Sequence, residues 1–195
     1  MTERPSMWGE LPPAGTILTT AEYLQTAESM RIQELIYGKL MVVEESPHFR
    51  HQNLLLELAV LMRVFVGQHK LGVVCIAPQD VILDPARALI LQPDLMFISK
   101  YRQEIISDHV WGAPDLVVEV MSPHPRIGKL DERIRYFAQY GVKECWLIHQ
   151  LSREIEVLNF KEHANGARAS FRGAEAIESS VLPDFRLSPE VLACW

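Results

Sequence analysis

Apolar positions change period several times along the chain, and each change marks an element. The stretch "RIQELIYGKLMVVEES" alternates over two short runs around Tyr37-Gly38-Lys39, which predicts a β-hairpin with Glu34 on its first arm. Ahead of it, Thr19 and Glu22 have capping-box spacing before "YLQTA", so a short helix is expected. From His48 to Gln68, Leu54, Leu55, Leu58, Leu61, Met62 and Phe65 recur at three- and four-residue steps, a helix with one buried stripe. His51 falls on that stripe. Three β-type runs follow, "VVCIAPQDVIL" near 73–83, "PDLMFIS" at 93–99 and "PDLVVEVMS" at 114–122, with a charged, irregular stretch at 100–112 before the last. After Pro123 and Pro125 the pattern predicts a helix over 127–140, with Ile127, Leu130, Ile134 and Phe137 on one face and Gly141 as its stop. "ECWLIH" (144–149) and "EIEVLNF" (154–160) read as strands, and the weakly patterned tail, 161–195, is expected to hold small ones.

That order predicts an α/β fold built on one mixed β-sheet flanked by helices, with an N-terminal helix and hairpin in front. The strand, helix and strand over 114–149 suggest a crossover unit. Residues 1–18, with Pro5, Gly9, Pro12, Pro13 and Gly15, read as an extended lead-in, which leaves 19–195 as one domain.

Composition narrows the class. The 195 residues are 48% hydrophobic and 23% charged, the makeup of a globular protein with one sizeable core. No apolar stretch approaches the ~18 residues of a membrane span, and the N-terminus lacks the basic-then-apolar order of a signal peptide. Three cysteines without CxxC spacing read as reduced, so a cytoplasmic location away from membranes is expected. The net charge of −6 argues against holding nucleic acid by bulk electrostatics and leaves room for a local basic patch.

Against this background Glu119 stands out, the one charged residue in the otherwise buried-type run "LVVEVM". A carboxylate taken out of water unpaired costs several kcal/mol, so a protonated state, a cationic partner or a metal ion must compensate it. Pro-Asp pairs occur at Pro93-Asp94, Pro114-Asp115 and Pro183-Asp184, so the dipeptide alone selects nothing. Asp115 shares a strand face with Glu119 but lies four residues, or about 13 Å, away. Asp94 and Glu119 sit on consecutive strands that, if paired, bring them within ~5–8 Å, a spacing suited to one divalent cation. Two carboxylates, a backbone carbonyl, water and substrate oxygens are a typical set for Mg²⁺, with Mn²⁺ as the alternative. Such an ion activates water and neutralises charge on a phosphodiester. Lys129 and Arg133, one turn apart on the following helix, flank its buried stripe and can lean towards the end of the Glu119 strand. Either can contact a phosphate or simply pair with Glu119. His51 on an apolar face reads first as a core histidine, and His48 with His51 lacks the third ligand that zinc requires.

Taken together, "QPDLMFIS", "PDLVVEVMSP" and "YFAQYGVKECWLIH" resemble a large bacterial family of restriction endonuclease-like proteins in the PD-(D/E)xK nuclease superfamily. The likeness extends upstream through "ELIYGKLMVVEESPHFRHQNL", similar to that family's Glu-bearing hairpin and Ser-Pro-x-x-x-His helix start, and covers residues 20 to 160. It implies a restriction-endonuclease-like core that hydrolyses phosphodiester bonds, with a metal site from Asp94 and Glu119, Glu34 contributing from the hairpin and His51 nearby. It also resembles superfamily variants whose lysine has moved to the next helix, and Met121, in the x-K place after Glu119, fits that pattern. Aligned on Gly141-Val142, the family's Asp-x-x-x-Lys falls on Lys129 and Arg133, so the acid is replaced by a lysine and the lysine by an arginine. His149 stands where the family often carries an acid.

Two functions follow. One is a metal-dependent endonuclease acting on DNA, with Glu34, Asp94, Glu119, Lys129 and Arg133 as its catalytic set. The other is a catalytically weakened nucleic-acid-binding or interaction module on the same fold, favoured by the arginine, which stays protonated and serves only as donor and charge. The resemblance also implies a homodimer, since superfamily members are commonly dimeric and a two-fold dimer can address both DNA strands.

Overall fold

The computed structural model describes residues 12–26, 32–42, 48–121, 130–160 and 167–192. Lys129, with Ile127, Pro123, Pro125 and Cys194, lies outside them.

The expected short helix is α1, Thr20–Tyr23, and its capping box is formed: Thr19 Oγ1 accepts from the Glu22 N–H, and Glu22 Oε2 accepts from the Thr19 N–H. The hairpin is β1, Gln33–Ile36, and β2, Lys39–Val42, joined by Tyr37 and Gly38. Helix α2 spans Phe49–Gln68 and buries Leu54, Leu55, Leu58, Met62 and Val66 together with His51. The stretch read as one strand near 73–83 is two, β3 (Gly72–Ile76) and β4 (Val81–Asp84). The break falls at Pro78, which has no N–H to donate to a ladder.

Further along lie β5 (Leu89–Leu91), β6 (Leu95–Ser99), β7 (Val110–Trp111) and β8 (Leu116–Met121). Helix α3 (Leu130–Tyr140), β9 (Glu144–His149), β10 (Glu154–Asn159) and β11 (Ala167–Arg172) complete the order.

These strands form two mixed sheets where the sequence suggests one. A six-stranded sheet runs β11-β10-β9-β8-β6-β3, and a five-stranded sheet runs β2-β1-β5-β4-β7. The second sheet is assembled from the hairpin, the detached β4 and two strands of two or three residues, β5 and β7, too short to leave a period of their own. The crossover unit is present: β8 and β9 pair in parallel, with α3 between them in sequence.

Alternate residues of the larger sheet feed two cores. Leu95, Phe97, Leu116, Val118, Val120, Trp146 and Ile148 pack with α2 and with Ile177, Leu182, Phe185, Leu187 and Leu192 of the tail. Met96, Ile98, Val117, Cys145 and Leu147 point the other way, onto Ile134 and Phe137 of α3 and onto Val81, Leu89 and Leu91 of the smaller sheet. Glu119 alternates with Val118 and Val120 and so faces α3 and the smaller sheet.

The tail is held by a buried carboxylate. Glu144 accepts hydrogen bonds from Trp146 Nε1, from both hydroxyls of Ser179 and Ser180, and from the Ser180 N–H, at 2.6–2.8 Å. This satisfies Glu144 without a counter-ion and pins an irregular segment across β9.

Candidate active site

Strands β6 and β8 pair antiparallel with Leu95 opposite Val118, and one further step of that register sets Asp94 opposite Glu119. The Val120 N–H donates to Asp94 Oδ2 at 2.7 Å, which locks the carboxylate against β8. The paired-strand condition for bringing Asp94 and Glu119 together is therefore met. Asp94 Oδ1 lies 3.4 Å from His51 Nε2, carried by the first turn of α2. His51 is buried, and its Nδ1 has no partner among the described residues.

The other side of Glu119 meets Arg133 from α3, and every N–H of the guanidinium is used. Nη1 lies 2.6 Å from both oxygens of Glu34. Nε and Nη2 grip Glu119 Oε1 at 3.1 and 2.8 Å, and Nη2 also reaches the Gln92 carbonyl at 3.4 Å. The group lies over the Phe137 ring at 5.6 Å. Glu34, fully buried on β1, receives one more bond, from the Gln92 N–H to Oε1 at 2.7 Å. Among the described residues the cationic partner of Glu119 is thus Arg133, shared with Glu34.

Among the described residues charge is unbalanced: Glu34, Glu119 and Asp94, when ionised, outnumber Arg133 by two charges. Burial pushes the Glu119 carboxyl up from its ordinary 4.5 to about 8; the Arg133 guanidinium pulls it back, while Asp94 and Glu34 add to the rise. Burial works against the Arg133 cation, but Glu119 and Glu34 more than offset it and hold the group protonated.

Asp115, the other acid on β8, belongs to a different structure. It is buried at the strand's opening, where it accepts from the Ser99 N–H at 2.8 Å and pairs with Lys143 and Arg102. Burial opposes its charge, yet Lys143 and the Ser99 N–H outweigh that and hold its carboxyl below the usual range. His149 pairs with Glu156 of β10 at 3.3 Å.

Sequence reasoning missed a second polar chain behind the site. Gln92, whose N–H and carbonyl serve Glu34 and Arg133, donates its side-chain amide to Asp80 Oδ1 at 2.8 Å. Asp80 also accepts from the Tyr23 hydroxyl at 3.0 Å and lies 3.4 Å from His109 Nδ1. The signal available in the sequence was Asp80, a lone acid between Pro78 and the apolar Val81-Ile82-Leu83, together with Gln92 directly before Pro93-Asp94.

The donor set fits a hard divalent cation with two protein ligands. Glu34 has both oxygens on the guanidinium, and among the described residues no three His, Cys, Asp or Glu side chains are disposed to hold a metal ion. The three-carboxylate set of Asp94, Glu119 and Glu34 is therefore not assembled here, since Arg133 stands between Glu34 and Glu119. Glu119 Oε2 accepts no hydrogen bond among the described residues, and Asp94 Oδ1, beside it, faces the His51 imidazole at 3.4 Å. Mg²⁺ keeps several waters and is commonly bound through one or two carboxylates, so two ligands suffice.

Comparison with known proteins agrees with this architecture. No curated protein matches the chain. Among solved structures, a putative nuclease belonging to DUF820 from Anabaena variabilis is similar over 91% of this chain and 98% of its own, with a TM-score of 0.77 and 17% sequence identity. That likeness shows a shared fold. The family model Uma2, described as a putative restriction endonuclease, matches residues 20–190, and the chain belongs to that family.

Proposed function

We propose that the chain is a metal-dependent endonuclease that hydrolyses phosphodiester bonds of DNA at the Asp94–Glu119 site. The observation that carries the reading is the pair of facing carboxylates where β6 and β8 meet: Glu119 Oε2 accepts no hydrogen bond among the described residues, Asp94 Oδ1 faces His51 Nε2 at 3.4 Å, and the described carboxylates of the cluster outnumber its guanidinium. Restriction endonuclease-like nucleases generally use divalent metals, and family membership supports a nucleic-acid substrate. A bound Mg²⁺ or Mn²⁺ supplies an activated water and positive charge at the scissile phosphate.

The chain's own residues then divide the work. Asp94, fixed by the Val120 N–H, presents Oδ1, and Glu119, fixed through Oε1, presents Oε2. Arg133 holds Glu119 in that orientation and places a permanent positive charge beside the phosphate position. Glu34 anchors Arg133. His51 restrains Asp94 from the α2 side. Lys129, just before α3, is assigned to contact the substrate phosphate. The exposed apolar residues Phe49, Leu56, Val60 and Val64 along α2 support a homodimer, and the reduced Cys75 and Cys145 suit the cytoplasm.

Calorimetric titration with Mn²⁺ tests the site. Wild type is expected to take up about one ion, and Glu119→Gln to lose that binding while keeping its folded circular-dichroism spectrum. Undiminished binding in the variant would remove Glu119 from the site.

A second reading is a nucleic-acid-binding module with a silenced centre, and one observation favours it. Arg133 stands in the position aligned with the family's lysine and cannot exchange a proton. Cleavage by Arg133→Lys separates the two: a gain of tenfold or more indicates a damaged catalyst, and a loss shows that the arginine serves the wild-type reaction.

A further inference from the structure

Two turns along α3 from Arg133 lies a group of rings that the reading above does not use. Tyr136 and Tyr140 follow Arg133 by three and seven residues and therefore share its helix face, about 4.5 and 10.5 Å further along the axis. Tyr37, at the tip of the β1–β2 hairpin, meets Tyr136 edge-on with centroids 5.4 Å apart. The Arg87 guanidinium sits 4.6 Å over the Tyr37 ring and reaches the Tyr140 hydroxyl, which donates to Asp84 Oδ2 at 3.0 Å. Asp84 is further satisfied by the N–H groups of Ala86 and Arg87.

Tyr37 is an unusual choice for its place. The loop has two residues, both left-handed, with φ +48° at Tyr37 and +86° at Gly38. Such turns favour Asn, Asp or Gly at the first position. A tyrosine accepts strain there, and the residue remains 38% exposed. The turn explains Gly38; it does not explain the ring.

A chain of net charge −6 that acts on nucleic acid also needs a grip that does not depend on neutralising many phosphates. Base stacking on aromatic side chains and arginine planes supplies one, and it requires bases that are not paired and stacked in a duplex. We propose that Tyr37, Tyr136 and Arg87 form a stacking subsite for an unpaired base, one to three nucleotides from the scissile phosphate. The substrate class is then single-stranded DNA or a duplex with bases splayed open beside the cut. This rests on the nuclease reading for its geometry, but its test reads binding separately from cleavage.

The test uses fluorescence anisotropy of the full chain with a labelled single-stranded oligonucleotide and with the blunt duplex of the same sequence, without added metal. Wild type is expected to prefer the single strand by about tenfold, the size of one base stack. Tyr37→Asn creates the favoured Asn-Gly turn, so it is expected to keep its thermal midpoint while losing the preference. Tyr37→Phe retains the ring and is expected to retain the preference. Equal wild-type affinity for the two forms, or an undiminished preference in Tyr37→Asn, would overturn the proposal. The same oligonucleotides incubated with Mn²⁺ report on the nuclease reading alone: a single-strand preference without cleavage leaves the subsite standing and removes the nuclease.

Discussion

Arg133 commits all its N–H groups to buried or partly buried acceptors, and one guanidinium cannot neutralise the two carboxylates it grips. Glu119 carries the consequence as a pKa raised to about 8, from burial first and from Asp94 and Glu34 besides. The sign of the pH effect follows. Between roughly 4.5 and 8 the folded chain holds a proton that the unfolded chain has released, so stability falls as pH rises through this window. The carboxyls held below their usual range, such as Asp115, act below pH 4.5 and leave the window clear. Urea unfolding at pH 5, 6.5 and 8 is expected to show a decline of at least about 1 kcal/mol, flattened in Glu119→Gln. A wild-type midpoint that rises over the same range would contradict the assignment. Sequence alone showed that Glu119 required compensation and named Arg133 among the partners. It could not show that the arginine bridges to Glu34, because a side chain's direction depends on how α3 lies across β8, which no local pattern encodes.

Elements with a strong period were legible. The α2 stripe, the hairpin, the crossover from β8 to β9 and the α1 capping box all stand where their spacings placed them. Short elements were not: β5 and β7 have two or three residues, and a period cannot be read from so few. The run at 73–83 looked continuous because its apolar residues do not reveal that Pro78 ends one ladder before Val81 begins another. At the opening of β3 the chain passes very close to its neighbour. A Cβ on Gly72 would sit 2.1 Å from the Ile98 carbonyl oxygen, backbone that cannot move without breaking the β3–β6 pairing. Gly72→Ala is accordingly expected to cost about 2 kcal/mol or more, read from thermal or urea unfolding. A loss below about 0.5 kcal/mol would mean that this edge strand is loosely held.

At the scale of the molecule, the candidate site lies where separate layers meet. The smaller sheet brings Glu34, the larger one Glu119, the link between β5 and β6 brings Gln92 and Asp94, α3 brings Arg133 and α2 brings His51. This is why single motifs were weak and their combination informative: Pro-Asp occurs three times, but only Asp94 has Glu119 opposite it, whereas Asp115 is held by Lys143. The tail was illegible for the same reason. Its buried Ile177, Leu182, Phe185 and Leu187 follow no period, since an irregular segment covers the α2 side of the sheet and takes its positions from Glu144 and the core it closes.

The most direct test of the central claim is cleavage of supercoiled plasmid in Mg²⁺ or Mn²⁺ by wild type and by Asp94→Ala, with chelator added as a control. The account expects metal-dependent nicking by wild type, falling at least a hundredfold in the variant and abolished by chelation. Cleavage that survives Asp94→Ala or proceeds in chelator would contradict it.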